Sequence, residues 1–219
     1  MADVYLYRHM NNKNVSRNNV FFVYLHLKLF LEGFLSEIDL IQQIANGDKR
    51  AFRELYDLHS AKVYNIALSY SQDVSDAEEI TQDVFTSIFK YASKFKSESK
   101  VSTWIYRITV NTALNYQKKK KRARFFSLTD SEYEKPDFNH PGTILEYQEQ
   151  NQLLFKAINT LPESQKSAFI LSYIEENPRQ DVADIMDTSL KAVESLLHRA
   201  KANLRKELEK YYPNRRIVK

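Results

Sequence analysis

The sequence predicts an all-α protein made of two small helical domains, and three observations carry that expectation. Glycine occurs only 3 times in 219 residues, which argues against strand-turn-helix phosphate loops and hairpin-rich sheets, since both need backbone that reaches positive φ. Apolar residues recur at three- and four-residue spacing over most of the chain from position 36 onward, the period of a helix with one buried face. Charge falls in three blocks: 19 basic against 13 acidic residues over 1–124, 1 against 6 over 125–150, and 12 against 9 over 151–219. The acidic block, "FFSLTDSEYEKPDFNHPGTILEYQEQ", holds two prolines and little periodicity before Thr143. It reads as an exposed linker at 125–146 between domains at 36–124 and 147–212, with 213–219 as a tail. Cysteine is absent, which removes disulfides, thiolate metal sites and a cysteine nucleophile and fits a reducing, cytoplasmic setting.

Residues 1–35 stand apart as an N-terminal extension. "VFFVYLHLKLFLEGFL" is mostly apolar, but it carries His26, Lys28 and Glu32 and is shorter than the roughly 20 residues of a membrane-spanning helix. No small-residue cleavage site follows, and Arg8, Lys13 and Arg17 are dispersed, so a signal peptide is a poor fit and no membrane insertion is expected. An added docking helix or a start assigned too far upstream remain as readings.

From Ser36 the elements follow in order. "SEIDLIQQIANGD" offers Ser36 as N-cap, Ile38, Ile41 and Ile44 as an apolar face, and Asn46-Gly47 as a stop. "KRAFRELYDLHSAKVYNIALSYS" turns Phe52, Leu55, Tyr56, Val63, Ile66 and Ala67 to a core. A capping box of Ser75 and Glu78 is expected to open the next helix, with Ala77, Ile80, Val84, Ile88 and Tyr91 on its core arc. Phe85 and Phe89 lie about 140° and 180° from Ile80, at 100° per residue, among polar neighbours. Two phenylalanines on a polar face suggest a partner's surface, the alternative being a helix buried on two sides.

The stretch "STWIYRITVNTALNYQKKKKRAR" begins with the only tryptophan and ends in a basic run. On a helical wheel Arg107, Asn111, Asn115 and Lys118 fall within about 60° of Trp104, while Ile105, Tyr106, Val110 and Ala113 take the far side. An indole, two amides and cations on one stripe can stack on bases, bond base edges and meet phosphate. No acidic residue occurs from Val101 to Phe126, whereas a solvated helix face would mix Glu with Lys. Nucleic acid is therefore the expected partner of this stripe.

Near the C-terminus, "LPESQKSAFILSYIEEN" places Pro162 at a first helical position and turns Ala168, Ile170, Leu171 and Ile174 inward. "PRQDVADIMDTSLKAVESLLHRAKANLRKEL" then reads as a short helix around Val182, Ala183 and Ile185, a turn at Asp187-Thr188, an N-cap at Ser189 and a longer helix. That longer helix buries Val193, Leu196, Leu197, Ala200, Leu204 and Leu208 and shows Lys191, Glu194, Ser195, His198 and Arg199. The pair is a helix-turn-helix, whose second helix can enter a major groove. Asp187 occupies a turn position where glycine is frequent.

"DAEEITQDVF", "STWIYRITVNTALNY" with its basic run, and "LPESQKSAF…DVADIMDTSLKAVESLLHRAKANL" together resemble the signatures of bacterial RNA polymerase sigma factors of the sigma-70 family, extracytoplasmic-function subgroup. The resemblance covers about residues 36–124 and 147–210 and implies a region 2 helical bundle and a region 4 helix-turn-helix joined by a flexible acidic linker. It implies that the helix from Asp76 to Lys90 docks on the clamp helices of the polymerase largest subunit through Asp76, Glu79, Gln82, Asp83, Phe85 and Phe89. The minus-ten element would meet Lys94, Lys96, Ser102, Thr103, Trp104, Arg107, Asn111, Asn115, Lys118, Lys119, Lys120, Lys121 and Arg122. The minus-thirty-five element would meet Lys191, Glu194, Ser195, His198, Arg199 and Lys201. Core RNA polymerase, including the flap region of its second-largest subunit, promoter DNA and an anti-sigma factor are the implied partners. The implied activity is promoter selection and melting, without a cofactor, a metal or a catalytic residue. A helix-turn-helix regulator acting without polymerase is the rival, and it leaves the two phenylalanines and the Trp-Asn stripe without a task. An enzyme is disfavoured because His9, His26, His59, His140 and His198 are scattered, with no nucleophile or ligand grouping around them.

Overall fold

A computed structural model of the chain describes residues 37–126 and 153–211; the expected cap Ser36, the N-terminal extension, the acidic linker from 127 on and the C-terminal tail lie outside these residues, while 125 and 126, expected in the linker, are helical. The described residues from 40 onward belong to one compact unit. A first helix, α1, covers 37–45 and buries Leu40, Ile41 and Ile44. It stops where Gly47 takes φ 88, a left-handed conformation that suits a residue without Cβ.

Helix α2 (Lys49–Ser71) starts on Asp48, whose carboxylate accepts from the amides of Arg50 and Ala51 at 2.7 and 3.2 Å. It ends at Gln72, left-handed at φ 56, with the amide of that residue donating to the Leu68 carbonyl at 2.8 Å. Helix α3 (Val74–Tyr91) corrects the expected capping box. Its N-cap is Asp73, which accepts from the Asp76 amide at 2.8 Å, so Ser75 is already inside the helix. Aspartate offers the same acceptor two residues earlier and needs no reciprocal glutamate. A short 3-10 turn, Ala92–Lys94, leads to α4 (Val101–Phe126). The three long helices enclose an apolar core in which Leu55, Val63, Ile66, Ile80, Val84, Ile88, Ile105 and Ala113 are fully buried. Tyr91, expected in that core, is 37% exposed, and Lys90 and Lys94 sit against its ring.

The second bundle comprises α5 (153–159), α6 (Glu163–Phe169), a π-helical turn (Ile170–Ile174), α7 (Arg179–Ile185) and α8 (Leu190–Glu209). Pro162 is the N-cap of α6 rather than its first helical residue, a shift of one that leaves its missing N–H harmless. Ala157, Ile158, Ala168, Ile170, Leu171, Val182, Ala183, Val193 and Ala200 close the core of this bundle. Among the described residues no helix is long and apolar enough to cross a membrane.

The two bundles pack directly on one another. Glu175, at the exit of the π turn, takes Lys62 of α2 on both its carboxylate, at 2.9 Å, and its carbonyl, at 2.6 Å, and accepts from the Ser69 hydroxyl at 2.9 Å. Lys166 of α6 lies in the same seam, 5% exposed, and donates to Asn159 Oδ1 at 2.6 Å. Burial first, and Lys121 second, hold its ammonium down at about 8.

Candidate nucleic-acid interface

Helix α4 presents the predicted stripe in part. Asn111, Asn115, Lys118, Lys119, Lys121 and Arg122 are exposed, while Trp104 is half-buried with its ring centroid 5.2 Å from that of Phe95. Lys94 and Lys96 are exposed in the approach to α4, and Ser102 is half-buried in its first turn. Thr103 corrects the expectation. At 4% exposure it is packed into the bundle, because it sits 100° from Trp104, toward the buried Val110 and Ala113 side. Position 103 therefore cannot be read as a surface contact.

The cations of α4 take their carboxylates from other elements, as a helix without acidic residues must. Lys120 reaches Asp76 of α3 at 2.5 Å, and the Tyr116 hydroxyl, with one proton to donate, lies 2.9 Å from carboxylate oxygens of both Asp76 and Glu79. Burial and those two acceptors push the Tyr116 phenol up from its ordinary value. Lys118 meets Glu163 at 2.9 Å, and the Gln117 amide donates to the Tyr70 carbonyl. Arg107 donates to the Asp184 carbonyl at 2.6 Å and lies 3.5 Å from the Asp187 carboxylate.

On α3 the expected partner face divides. Glu79, Gln82 and Asp83 are exposed, but Asp76 is turned toward α4 by the bonds just described. Phe89 is 43% exposed, whereas Phe85 is 3% exposed and belongs to the core. The cause is α2: the Tyr56 ring lies 4.6 Å from Phe85, and Phe52 packs edge-on to both phenylalanines, at 6.3 and 5.4 Å. The surface left outside is Phe89 with the edge of Tyr56, 39% exposed, and Leu58, 58% exposed. Tyr56 and Leu58 were missed as surface candidates; the i, i+4 aromatic pair Phe52–Tyr56 facing Phe85–Phe89 was the available signal.

The helix-turn-helix takes its expected form. Asp187 is left-handed at φ 54, which aspartate tolerates better than most residues, and the Thr188 amide donates to the Ala183 carbonyl at 2.9 Å. Ser189 caps α8 by accepting from the Ala192 amide at 3.2 Å. Lys191, Glu194, Ser195, His198 and Arg199 are all exposed, and Arg199 is steadied by the Ser195 hydroxyl at 3.0 Å. Lys201 is exposed as well, with its ammonium 4.5 Å from the centre of the Tyr173 ring. Leu196 and Leu208, expected inside, are only half-buried at the margin of the bundle. No group of three metal-ligating side chains occurs among the described residues.

This front makes a specific expectation. Alanine at Glu194, Ser195 or His198, where it removes a bond to a base, should relax preference at one base pair by about 1 to 3 kcal/mol. Removing a phosphate partner at Lys191 or Arg199 should weaken all sites alike. Selection from a randomised duplex pool reads both, and an unchanged profile for all three alanine variants would remove α8 as the reader.

Comparison with known proteins places both bundles. The model "Sigma-70 region 2" matches residues 55–123, and "Sigma-70, region 4" matches residues 151–204, together more than half of the chain. The chain is 29% identical to the ECF RNA polymerase sigma-E factor of Haemophilus influenzae over 183 residues, covering 80% of this chain and 96% of that protein. It is 27% identical to the ECF RNA polymerase sigma factor SigW of Bacillus subtilis over 176 residues, covering 77% and 94%. Among solved structures, CnrH in complex with the cytosolic domain of CnrY shares the fold at TM-score 0.58 and 20% identity, over 80% of this chain and 98% of that one. The sigma factor RpoE of Bartonella quintana, solved with the anti-sigma factor NepR, does so at TM-score 0.58 and 22% identity, over 72% and 96%.

Proposed function

The chain belongs to the sigma-70 family, in its extracytoplasmic-function group, as a sigma factor that directs RNA polymerase to promoters, and from that premise we propose how its parts divide the work. The first bundle, 36–124, docks on the clamp helices of the largest polymerase subunit through Glu79, Gln82, Asp83 and Phe89, joined by Tyr56 and Leu58. Its α4 takes the non-template strand of the minus-ten element and promotes melting. The second bundle, 147–212, reads the minus-thirty-five element with α8 and meets the flap of the second-largest subunit, while the segment from 127 to 146 joins the two. The work is done in the cytoplasm, and an anti-sigma factor is the expected antagonist.

One observation supports this division above others: α4 carries amides and cations on an exposed face with no acidic residue along its 26 residues, which suits a polyanion whose bases are accessible. The test is run-off transcription with purified core polymerase on genomic fragments, followed by sequencing of the selected promoters. Transcripts starting at a shared two-part promoter are expected. Their absence with every core enzyme tried would overturn the reading.

A further inference from the structure

We propose that Asp76 positions the strand-binding helix: through Tyr116 and Lys120 it pins the end of α4 that projects past the core to the first turn of α3, so that Lys120 orients the basic run instead of meeting DNA. The inference rests on the assignment of α4 to DNA made above, and it gives Lys120, grouped with the DNA contacts by resemblance, a different task.

The buried face of α4 ends at Ala113, and no side chain described from 114 to 123 is buried. The same stretch carries Lys118, Lys119, Lys120, Lys121 and Arg122 in succession. Lys118 stands three residues from Lys121 and four from Arg122, the spacings at which like charges meet on a helix and disfavour it. With no acidic residue of its own, this end of α4 gains most from a carboxylate on another element. Gln117, bonded to the Tyr70 carbonyl of α2, brings no charge, and the Glu163 side chain that meets Lys118 is 53% exposed.

Asp76 supplies that carboxylate from a fixed place. Its Oδ1 lies 2.9 Å from the Tyr116 hydroxyl and its Oδ2 2.5 Å from the Lys120 ammonium, so one side chain spans two residues four apart on one face of α4. The Asp76 side chain is 13% exposed, its backbone amide donates to the Asp73 carboxylate at 2.8 Å, and the next residue, Ala77, is fully buried. A carboxylate so sheltered is screened by salt less than one at the open surface. Angles around α4 divide the basic run in the same way. Lys118, Lys119 and Arg122 lie within about 60° of Trp104, whereas Lys120 lies about 160° away. That is the direction of Thr109 and Ala113, at about 140° and 180°, both fully buried. Lys120 therefore stands on the core side of the helix, two turns past the end of the core.

The test compares Asp76→Asn, Lys120→Met, the two together, and Lys120→Arg, each in the full chain. Amide hydrogen exchange on the free protein should rise about fivefold or more over residues 117–123 in Asp76→Asn and Lys120→Met, with Ala77–Ile88 unchanged and Lys120→Arg close to wild type. Each chain is then assembled with excess core polymerase and titrated onto a promoter from the run-off selection whose minus-ten segment is mismatched and already open. Asp76→Asn should bind about three- to tenfold more weakly, because a loosened helix has to be ordered on binding. Loss of a negative charge beside a cationic helix would by itself do the opposite and strengthen binding to a polyanion. Lys120→Met should lose about as much with an unchanged salt slope, whereas a phosphate contact at Lys120 would lower the slope by about 0.7 to 0.9. The double variant should lose no more than either single change, as residues acting through one pair do. Unchanged exchange, tighter binding by Asp76→Asn, or a lower salt slope for Lys120→Met would each overturn the positioning role. Lys120→Met, outside the core, decides the matter should Asp76→Asn fail to fold. A wild-type holoenzyme that does not bind the open promoter would overturn the assignment of α4 to DNA and the positioning role with it, a failure visible before any variant is compared.

Discussion

Replacing Phe85 by alanine is expected to cost about 3 to 5 kcal/mol of stability, the range for emptying an aromatic site inside a core. The ring is 3% exposed and is enclosed by Phe52 and Tyr56, which belong to a different helix and cannot follow a backbone collapse of α3. Phe89→Ala should behave in the opposite way. With 43% of the residue exposed and a single close ring neighbour, Phe52 at 5.4 Å, its removal should cost less than about 1 kcal/mol of stability. Yet it should weaken the complex with core polymerase by about 2 kcal/mol if the ring is a hot spot. Urea unfolding and a polymerase pull-down on the two variants separate the roles. Similar stability losses for both would place Phe89 in the core as well and leave the docking face to Glu79, Gln82 and Asp83.

The second large effect concerns α4. Changing Asn111 and Asn115 together to alanine should leave thermal stability unchanged, because both amides are exposed. Open-complex formation should fall by the equivalent of about 1 to 3 kcal/mol for each bidentate amide–base pairing that the change abolishes. A promoter with a mismatched, already open bubble should restore only part of that deficit, because strand capture and not melting alone is impaired. Lys119→Ala with Lys121→Ala should instead weaken closed and pre-melted promoter alike and lower the salt slope by about 0.7 to 0.9 per phosphate neutralised. Permanganate footprints of the minus-ten thymines distinguish the cases, and footprints unaltered by the asparagine variants would reduce the stripe to its lysines. Trp104→Ala is a poorer probe than its place on the wheel suggests, since the indole rests on Phe95 and its removal also loosens the bundle.

The helices and the turn of the helix-turn-helix were legible because each depends on short-range chemistry. Ser189 as a cap, Asp187 at the turn and the buried faces of Leu55–Val63–Ile66 and Val193–Leu197–Ala200 need only the spacing of residues along one helix. The misses share a different cause. A helical wheel describes one helix alone, so it put Phe85 on an outer face that α2 covers, and the resemblance gave Asp76 to a partner when α4 supplies Tyr116 and Lys120. Thr103 was carried over with its neighbours by resemblance, although its own angle on the wheel turns it inward. The contact between the bundles was not legible at all. It joins residues far apart in the chain, 49 positions for Gln117 with Lys166, 77 for Arg107 with Asp184 and 113 for Lys62 with Glu175, and no local pattern announces such pairs.

The π turn at Ile170–Ile174 acts as a phase adjuster for everything that follows it. A π turn holds one residue more than the α-helical turn it replaces, as the bond from the Glu175 amide to the Ile170 carbonyl, 2.9 Å long, records. Each residue of an α-helix advances the chain by about 100°, so deleting one residue here would rotate the exit by about that angle. Glu175 would swing away from Lys62 and Ser69, and α7 would leave the bundle in a new direction, although no side chain in either helix had changed. The angular position of the helix-turn-helix relative to α4 is thus stored as a count of residues in a single widened turn.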